Sequence, residues 1–170
     1  MKVAVLGAGA WGTALALLAA RAGHDVWLWS YNGEFHQLDG VQIPENIRLT
    51  SRFIDVGATD VWIMVTPSAF FRETVQKAAS YYQNQPVLIC TKGLEAQTYR
   101  FMAEVLRAEI PQCVDIGGVS GPQFAAEVTR GVPTGSTLAG TDRARSAGRS
   151  VLSEMYLEET DDIVGTEICG

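Results

Sequence analysis

The spacing of the glycines near the start of the chain predicts a phosphate-binding turn. An apolar run, Val3–Leu6, leads into Gly7-Ala8-Gly9-Ala10-Trp11-Gly12, and the alanine-rich stretch Thr13–Ala22 follows at once. Between a strand and a helix, the glycines of G-x-G-x-x-G serve the tight turn, the close approach of a pyrophosphate and the packing of helix on strand. The free amides at the helix N-terminus then favour the phosphates. We therefore expect a dinucleotide at Gly7, Gly9 and Gly12; the alternative is a turn that binds nothing.

The end of the second predicted strand bears on the choice between NAD and NADP. An Asp or Glu at this point favours NAD, and an Arg nearby accommodates the 2′-phosphate of NADP. Trp29 is followed by Ser30-Tyr31-Asn32, which supplies neither. A 2′-phosphate is not repelled by these residues, which tilts the expectation slightly towards tolerance of NADP. The alternative is that they are ordinary loop residues.

Two further strand ends carry candidate residues. Thr66-Pro67-Ser68 are small, so they leave room for a cofactor to lie across this strand end. Phe70 is expected either to line a nicotinamide pocket or to belong to the core. Phe71 is expected in the core, as aromatic residues at a helix start usually are. Lys92 follows a buried strand in Thr91-Lys92-Gly93-Leu94-Glu95. Its ammonium there would polarise a carbonyl or pair with a phosphate; the alternative is a solvated loop lysine.

Composition limits the classes of protein to consider. The chain has 170 residues, 47% hydrophobic and 19% charged, with a net charge of −6. These values suit one globular domain, and without a Lys/Arg cluster we expect no nucleic-acid partner. Three distant cysteines, Cys90, Cys113 and Cys169, favour a reducing cytoplasm over a disulfide framework. We expect no signal peptide, no membrane span and no metal site, with His24 and His36 as solvated loop residues.

Short apolar runs alternate with helical stretches, which is typical of an α/β fold. We expect a doubly wound, mostly parallel sheet, as in Rossmann-like dinucleotide-binding domains. The expected strands are Val3–Leu6, Val26–Trp29, Ile47–Thr50, Val61–Thr66, Val87–Thr91, Asp115–Val119 and Thr134–Ala139. The expected helices span about 11–22, 69–83 (capped by Ser68), 99–109 (capped by Thr98), 122–130 and 142–156 (opened by Thr141 or Asp142). Residues 30–45 are expected as a loop with at most one helical turn. Residues 1–170 are expected to form one domain, with 163–170 starting the connection to another, all-helical one.

Several stretches together resemble one family. They are GAGAWGTALA (Gly7–Ala16), VTPS (Val65–Ser68), CTKGLE (Cys90–Glu95), SGPQFAAEV (Ser120–Val128), VPTGSTLA (Val132–Ala139) and IVGTEICG (Ile163–Gly170). In this order they resemble the N-terminal domain of bacterial-type NAD(P)-dependent glycerol-3-phosphate dehydrogenase. The resemblance implies interconversion of sn-glycerol 3-phosphate and dihydroxyacetone phosphate, by hydride transfer with NAD or NADP, feeding glycerophospholipid synthesis. It implies a phosphorylated small-molecule substrate, and we add the expectation of a homodimer.

The resemblance also assigns residues. Lys92 would orient both cofactor and substrate, and Gly121 and Gln123 would contact the substrate, although the family more often has a small hydroxyl residue or Asn in place of Gln123. With the strand-end residues, the expected cofactor contacts are Gly7, Gly9, Ala10, Trp11, Gly12, Tyr31, Pro67, Phe70, Lys92 and Ala125. The region between Tyr31 and Pro44 looks shorter than in the family. The family's proton-accepting lysine lies a few residues beyond the segment that ends at Gly170, so we expect the chain alone to show little or no turnover.

Two other functions stay open at this point. One is another dehydrogenase, of the 6-phosphogluconate or ketopantoate type, which would share the first glycine motif but not T-K-G-L-E followed by S-G-P-x-F-A. The other is a binding module that senses the redox state of NAD(P) without catalysis.

Overall fold

A computed structural model describes residues 1–36 and 41–169 and shows one eight-stranded sheet. The strands are β1 (Lys2–Leu6), β2 (Asp25–Trp29), β3 (Ile47–Thr50), β4 (Val61–Met64), β5 (Val87–Ile89), β6 (Ile116–Ser120), β7 (Gly135–Gly140) and β8 (Tyr156–Thr160). Their order is β3-β2-β1-β4-β5-β6-β7-β8. All neighbours are parallel except β6 and β7. The predicted α/β fold with a mostly parallel sheet is confirmed.

Helices cover both faces of the sheet. They are α1 (Ala10–Arg21), α2 (Phe53–Gly57), α3 (Ser68–Ala78), α4 (Met102–Glu109), α5 (Ala125–Thr129), α6 (Asp142–Val151) and α7 (Ile163–Ile168), with a 3₁₀ turn at Ala79–Tyr81. Successive residues of β1 point to opposite faces. Val3 and Val5 therefore join a core with α1 and α6, while Ala4 and Leu6 join a second core with α3 and α4. None of the helices in the described ranges has the length and apolar character to cross a membrane.

Two elements near the end of the chain differ from the sequence-based prediction. The helix expected to reach Tyr156 ends at Val151, and Tyr156 instead begins β8, which pairs with β7. Four of the five β8 residues, other than Leu157, are polar or aromatic, so the strand lacks the apolar alternation that would have revealed it. Residues Ile163–Ile168, for which no helix or strand was predicted, form α7, and the Asp162 side chain caps it by accepting from the amide of Gly165 at 2.8 Å.

Several predicted helix starts were misplaced. The helix expected at Pro122 begins at Ala125, because Phe124 before it is still extended. The helix expected at Tyr99 begins at Met102, and the N–H of Phe101 donates to the Glu104 carboxylate at 2.9 Å. Neither Thr98 nor Ser68 caps a helix; Ser68 is the first residue of α3, after the N-cap Pro67. Of the two residues expected to open the next helix, Thr141 is the cap, since its hydroxyl accepts from Ala144 N–H.

Outside the predicted elements, His24 is buried rather than solvated. One ring nitrogen lies 3.0 Å from the carbonyl oxygen of Ser150 on α6, and the other lies 3.3 Å from the amino group of Met1. His36 is exposed, as expected. Part of the predicted loop 30–45, residues 37–40, lies outside the described residues; its described parts form no helix or strand.

Candidate functional site

A groove of about 840 Å³ lies where the carboxyl ends of β1, β2 and β4 meet the start of α1 and one side of α3. In doubly wound sheets this edge is where ligands bind. Eight of the ten residues expected to touch a cofactor line the groove: Gly7, Gly9, Ala10, Trp11, Gly12, Tyr31, Pro67 and Phe70. The other two, Lys92 and Ala125, lie outside its lining.

The glycine turn has no space for side chains at two of its positions. Gly7 has a φ of +128°, and a Cβ there would lie 2.8 Å from the backbone carbon of Val65. A Cβ on Gly12 would lie only 1.8 Å from the carbonyl oxygen of Gly7. Gly9, the N-cap of α1, has no atom within 4 Å of such a Cβ, so its exposed face is open to an approaching ligand. The turn therefore forms a cradle that a Cβ would disturb, and it fits a pyrophosphate at the first amides of α1.

The end of the groove beside β2 contains charged residues that the sequence reasoning missed. Tyr31 is 74% exposed, and the Lys77 ammonium lies 5.0 Å from its ring centroid. The same ammonium donates to the carboxylate of Glu73 at 2.6 Å. Glu34 also lines the groove. Lys77 and Glu73 lie about 45 residues along the chain from Tyr31, so only the fold brings them together.

The two phenylalanines at the start of α3 lie in different environments. Phe71 is completely buried in the core, as expected. Phe70 is 59% exposed and lines the groove next to Pro67, whose carbonyl accepts the Phe70 N–H at 2.9 Å. The Thr66 hydroxyl, at the same strand end, is buried without a partner in the described structure. Apart from this hydroxyl, Val65, Pro67 and Phe70 give this end of the groove a mainly apolar lining.

Lys92 lies at the same edge of the sheet, one strand farther along. Its ammonium donates to the Ser120 hydroxyl at 3.0 Å, joining the ends of β5 and β6. Partial burial of the ammonium lowers the pKa of Lys92 below its ordinary value. Gly121, an expected substrate contact, follows Ser120 directly.

Gln123 and Ala125 do not line the groove. Both polar atoms of the Gln123 amide are buried without a partner in the described structure, beside Gly121. Ala125 begins α5 and packs against the core that contains α1, so the structure does not bring it into the groove. In the described parts of the chain, no three His, Cys, Asp or Glu side chains gather as metal ligands.

Comparison with known proteins identifies the family. A family profile described as "NAD-dependent glycerol-3-phosphate dehydrogenase N-terminus" matches residues 2–146. The chain belongs to this family. Its resemblance to the N-terminal domain, expected from the motifs, is confirmed.

Curated relatives agree with this assignment. The glycerol-3-phosphate dehydrogenase [NAD(P)+] of Parvibaculum lavamentivorans is 36% identical over 99% of this chain and 55% of its own length. That of Paramagnetospirillum magneticum is 37% identical over 99% of this chain and 66% of its own length. The chain thus spans between half and two thirds of these two relatives.

Solved structures show the same fold. The glycerol-3-phosphate dehydrogenase of Coxiella burnetii has a TM-score of 0.90 at 29% identity, covering 99% of this chain and 56% of that one. A ketopantoate reductase from Ralstonia eutropha has a TM-score of 0.67 at 17% identity, covering 96% of this chain and 57% of that one, a likeness of fold alone.

The T-K-G-L-E segment is held in place by an ion pair. Arg72 on α3 forms a two-pronged pair with Glu95, Nε to Oε1 at 2.6 Å and Nη2 to Oε2 at 2.8 Å. Arg72 also contacts Glu109, at the end of α4. Arginine's rigid fork fixes the carboxylate in direction as well as distance. Since Glu95 lies three residues after Lys92, this pair limits where the lysine loop can lie.

A second missed residue, Glu167, lies beneath Lys92. With Thr91, Ser120 and Lys92 it lines a cavity of about 10 Å³. One carboxyl oxygen accepts from Ala103 N–H at 3.2 Å, and burial raises the pKa of Glu167. Residues Ile163–Ile168, the part of the stretch IVGTEICG that forms α7, therefore supply a wall beside Lys92.

Proposed function

We propose that this chain binds NAD(H) or NADP(H) in the groove and forms the cofactor half of an oxidoreductase. The reaction proposed for the whole protein interconverts sn-glycerol 3-phosphate and dihydroxyacetone phosphate. The observation that carries the proposal is the pair of sites at one sheet edge. One is a glycine cradle with no room for a Cβ at Gly7 or Gly12, and the other is the Lys92 ammonium one strand beyond β4.

The residues of this chain have distinct roles in the proposed reaction. The nicotinamide, when bound, supplies or accepts the hydride. The first amides of α1 hold the pyrophosphate, and Gly9 lets it approach the backbone. Pro67 and Phe70 form an apolar wall that excludes water from one side of the groove.

Lys92 would act on the substrate. Its charged ammonium, directed by Ser120, stabilises negative charge on the substrate, either at the C2 oxygen as the carbonyl is reduced or on the phosphate. Gly121 and Gln123 would contact the same molecule, for which the buried, unpartnered Gln123 amide would have to turn outward. We propose that the proton acceptor and the rest of the substrate site belong to the part of the relatives that this chain does not span.

Three further proposals concern the domain organisation, location and self-association of the protein. We propose that residues 1–170 form one domain and that 163–170 leads into another. A cytoplasmic location is supported by the free thiols of the three cysteines. Self-association, as a homodimer, is supported by large exposed apolar side chains near the carboxyl edge: Leu94, Tyr99, Phe124 and Ile168. Sedimentation that shows a monomer over a wide concentration range would contradict the last proposal.

Calorimetric titration with NADH, repeated in the presence of glycerol 3-phosphate, tests the proposed function. We expect saturable NADH binding that glycerol 3-phosphate tightens, while glycerol, which lacks the phosphate, has no effect. NADH binding that glycerol 3-phosphate leaves unchanged would show that Lys92 and Gly121 do not form part of a substrate site in this chain. No binding by folded protein would overturn the proposal.

A further inference from the structure

Residues 30–36 form an arc that hydrogen-bonds to the glycine turn at both ends. At the near end, the N–H of Gly7 donates to the carbonyl of Trp29 at 3.1 Å. At the far end, the N–H of His36 donates to the carbonyl of Ala8 at 3.0 Å. The chain between these two bonds is thus held over the adenosine end of the groove.

Inside the arc, three hydrogen bonds place the Glu34 carboxylate. The Ser30 hydroxyl and the Glu34 N–H both donate to Oδ1 of Asn32, at 2.9 and 3.1 Å. Nδ2 of Asn32 in turn donates to Oε2 of Glu34 at 2.9 Å. The opposite orientation of the Asn32 amide would put its oxygen against the carboxylate, so these partners fix the orientation. Glu34 is therefore tied to the residue that directly follows β2.

Charge at this end of the groove opposes an added phosphate. The described lining holds two carboxylates, Glu34 and Glu73, and one ammonium, Lys77, so the carboxylates outnumber the ammonium by one. Lys77 already donates to Glu73 at 2.6 Å. No arginine lines the groove in the residues described. A 2′-phosphate would therefore meet a net negative wall, whereas a ribose diol would meet an acceptor for its hydroxyl protons.

We propose that Glu34 reads the adenosine ribose diol and makes this site prefer NAD(H) over NADP(H). This inference rests on the proposed function. Rossmann-type sites use an acidic residue about 20 residues past the glycine motif for the same purpose, and Glu34 lies 22 residues past Gly12 (34 − 12). The residue types of Ser30, Tyr31 and Asn32 alone favoured tolerance of NADP. The Glu34 carboxylate, which the arc brings back to the end of β2, reverses that expectation.

The test compares NADH and NADPH binding by calorimetry in the unaltered chain and in Glu34→Gln. We expect the unaltered chain to bind NADH at least about tenfold more tightly, as one well-placed charged contact supplies. Glu34→Gln should reduce that ratio by about tenfold, through weaker NADH binding and stronger NADPH binding. Glu158→Gln, on the exposed edge strand β8, removes the same net charge far from the groove and should leave the ratio unchanged.

Two further measurements distinguish direct recognition of the ribose by Glu34 from a general effect of its negative charge. An NADH analogue lacking the adenosine 2′-hydroxyl should bind the unaltered chain more weakly than NADH, and Glu34→Gln should lose this difference. Asn32→Ala, which frees the carboxylate without removing it, should lower the ratio partway. Equal or stronger binding of NADPH by the unaltered chain, or an unchanged ratio in Glu34→Gln, would overturn the inference. If neither dinucleotide binds, the proposed function itself fails.

Discussion

The ammonium of Lys92 donates a hydrogen bond to the hydroxyl of Ser120 over 3.0 Å, and this contact joins the ends of β5 and β6. The two residues are 28 positions apart, yet they adjoin at the carboxyl edge of the sheet. The contact brings the exposed Lys92 next to Ser120, the residue that precedes Gly121. It thus places a positive charge beside the residues proposed to contact a phosphorylated substrate.

The charge on Lys92 should control how glycerol 3-phosphate affects cofactor binding. We expect Lys92→Met to abolish the tightening of NADH binding by glycerol 3-phosphate while NADH alone changes affinity far less. Because burial lowers the pKa of Lys92, the ammonium loses its proton at a lower pH than an ordinary lysine. In the unaltered chain the tightening should therefore decline as pH rises through that lowered pKa. Calorimetry across this pH range checks both effects, and a tightening that survives in Lys92→Met would contradict them.

The glycine turn offers a matched pair of substitutions. Gly12→Ala places a Cβ against the Gly7 carbonyl and should cost about 1–3 kcal/mol of unfolding free energy or more, with loss of NADH binding. Gly9→Ala has open space and a φ of −73°, so the fold should keep its thermal midpoint while NADH affinity falls. Thermal unfolding and calorimetry on both variants check this. Equal stability of the two would contradict the described turn.

Alanine substitutions of Phe70 and Phe71 should likewise affect NADH binding and fold stability separately. Phe71→Ala removes a completely buried ring and should destabilise the fold by about 3–5 kcal/mol. Phe70→Ala removes a ring that is 59% exposed in the groove, so it should weaken NADH binding with little change in stability. Chemical denaturation and calorimetry give both quantities. A Phe70→Ala variant with unchanged NADH affinity would remove Phe70 from the cofactor site.

The Arg72–Glu95 pair should make stability depend on pH in acid. The Arg72 guanidinium, followed by the Thr98 hydroxyl, lowers the pKa of Glu95 from 4.5 to about 2. A folded-state pKa below the unfolded one stabilises the fold fully above about pH 4.5, and this stabilisation is lost as pH falls towards 2. We expect Glu95→Gln to melt below the unaltered chain at pH 7, with the gap closing between these two pH values.

Thermal unfolding at several pH values measures that gap. Glu73→Gln is the control, because the exposed Glu73–Lys77 pair contributes little to stability. A gap for Glu95→Gln that stays constant down to pH 2 would show that the carboxylate's charge is not what matters.

The three cysteines should differ sharply in reactivity. Cys90 is buried, and burial raises the pKa of its thiol to about 12. Cys113 is also buried with a raised pKa, whereas Cys169 is exposed. A thiol reagent at neutral pH should modify one thiol quickly and two only on unfolding, and Cys169→Ser should remove the fast phase. Fast modification of a second thiol would contradict the burial of Cys90 or Cys113.

The features that the sequence predicted well are local ones. The glycine turn joins neighbouring elements, so its residue types alone dictate a strand, a turn and a helix. Glu34 was missed because its position depends on the His36–Ala8 backbone bond, and the Arg72–Glu95 pair was missed because it joins α3 to a loop 23 residues away. The edge strand β8 escaped prediction because neither of its faces is fully buried.

The measurement that tests the central claim most directly is a calorimetric titration of the folded chain with NADH. The structure predicts saturable binding at one site per chain, weakened by Gly9→Ala at an unchanged thermal midpoint. The absence of saturable binding, or an affinity that Gly9→Ala leaves unchanged, would show that the glycine turn is a structural connection and not a cofactor site.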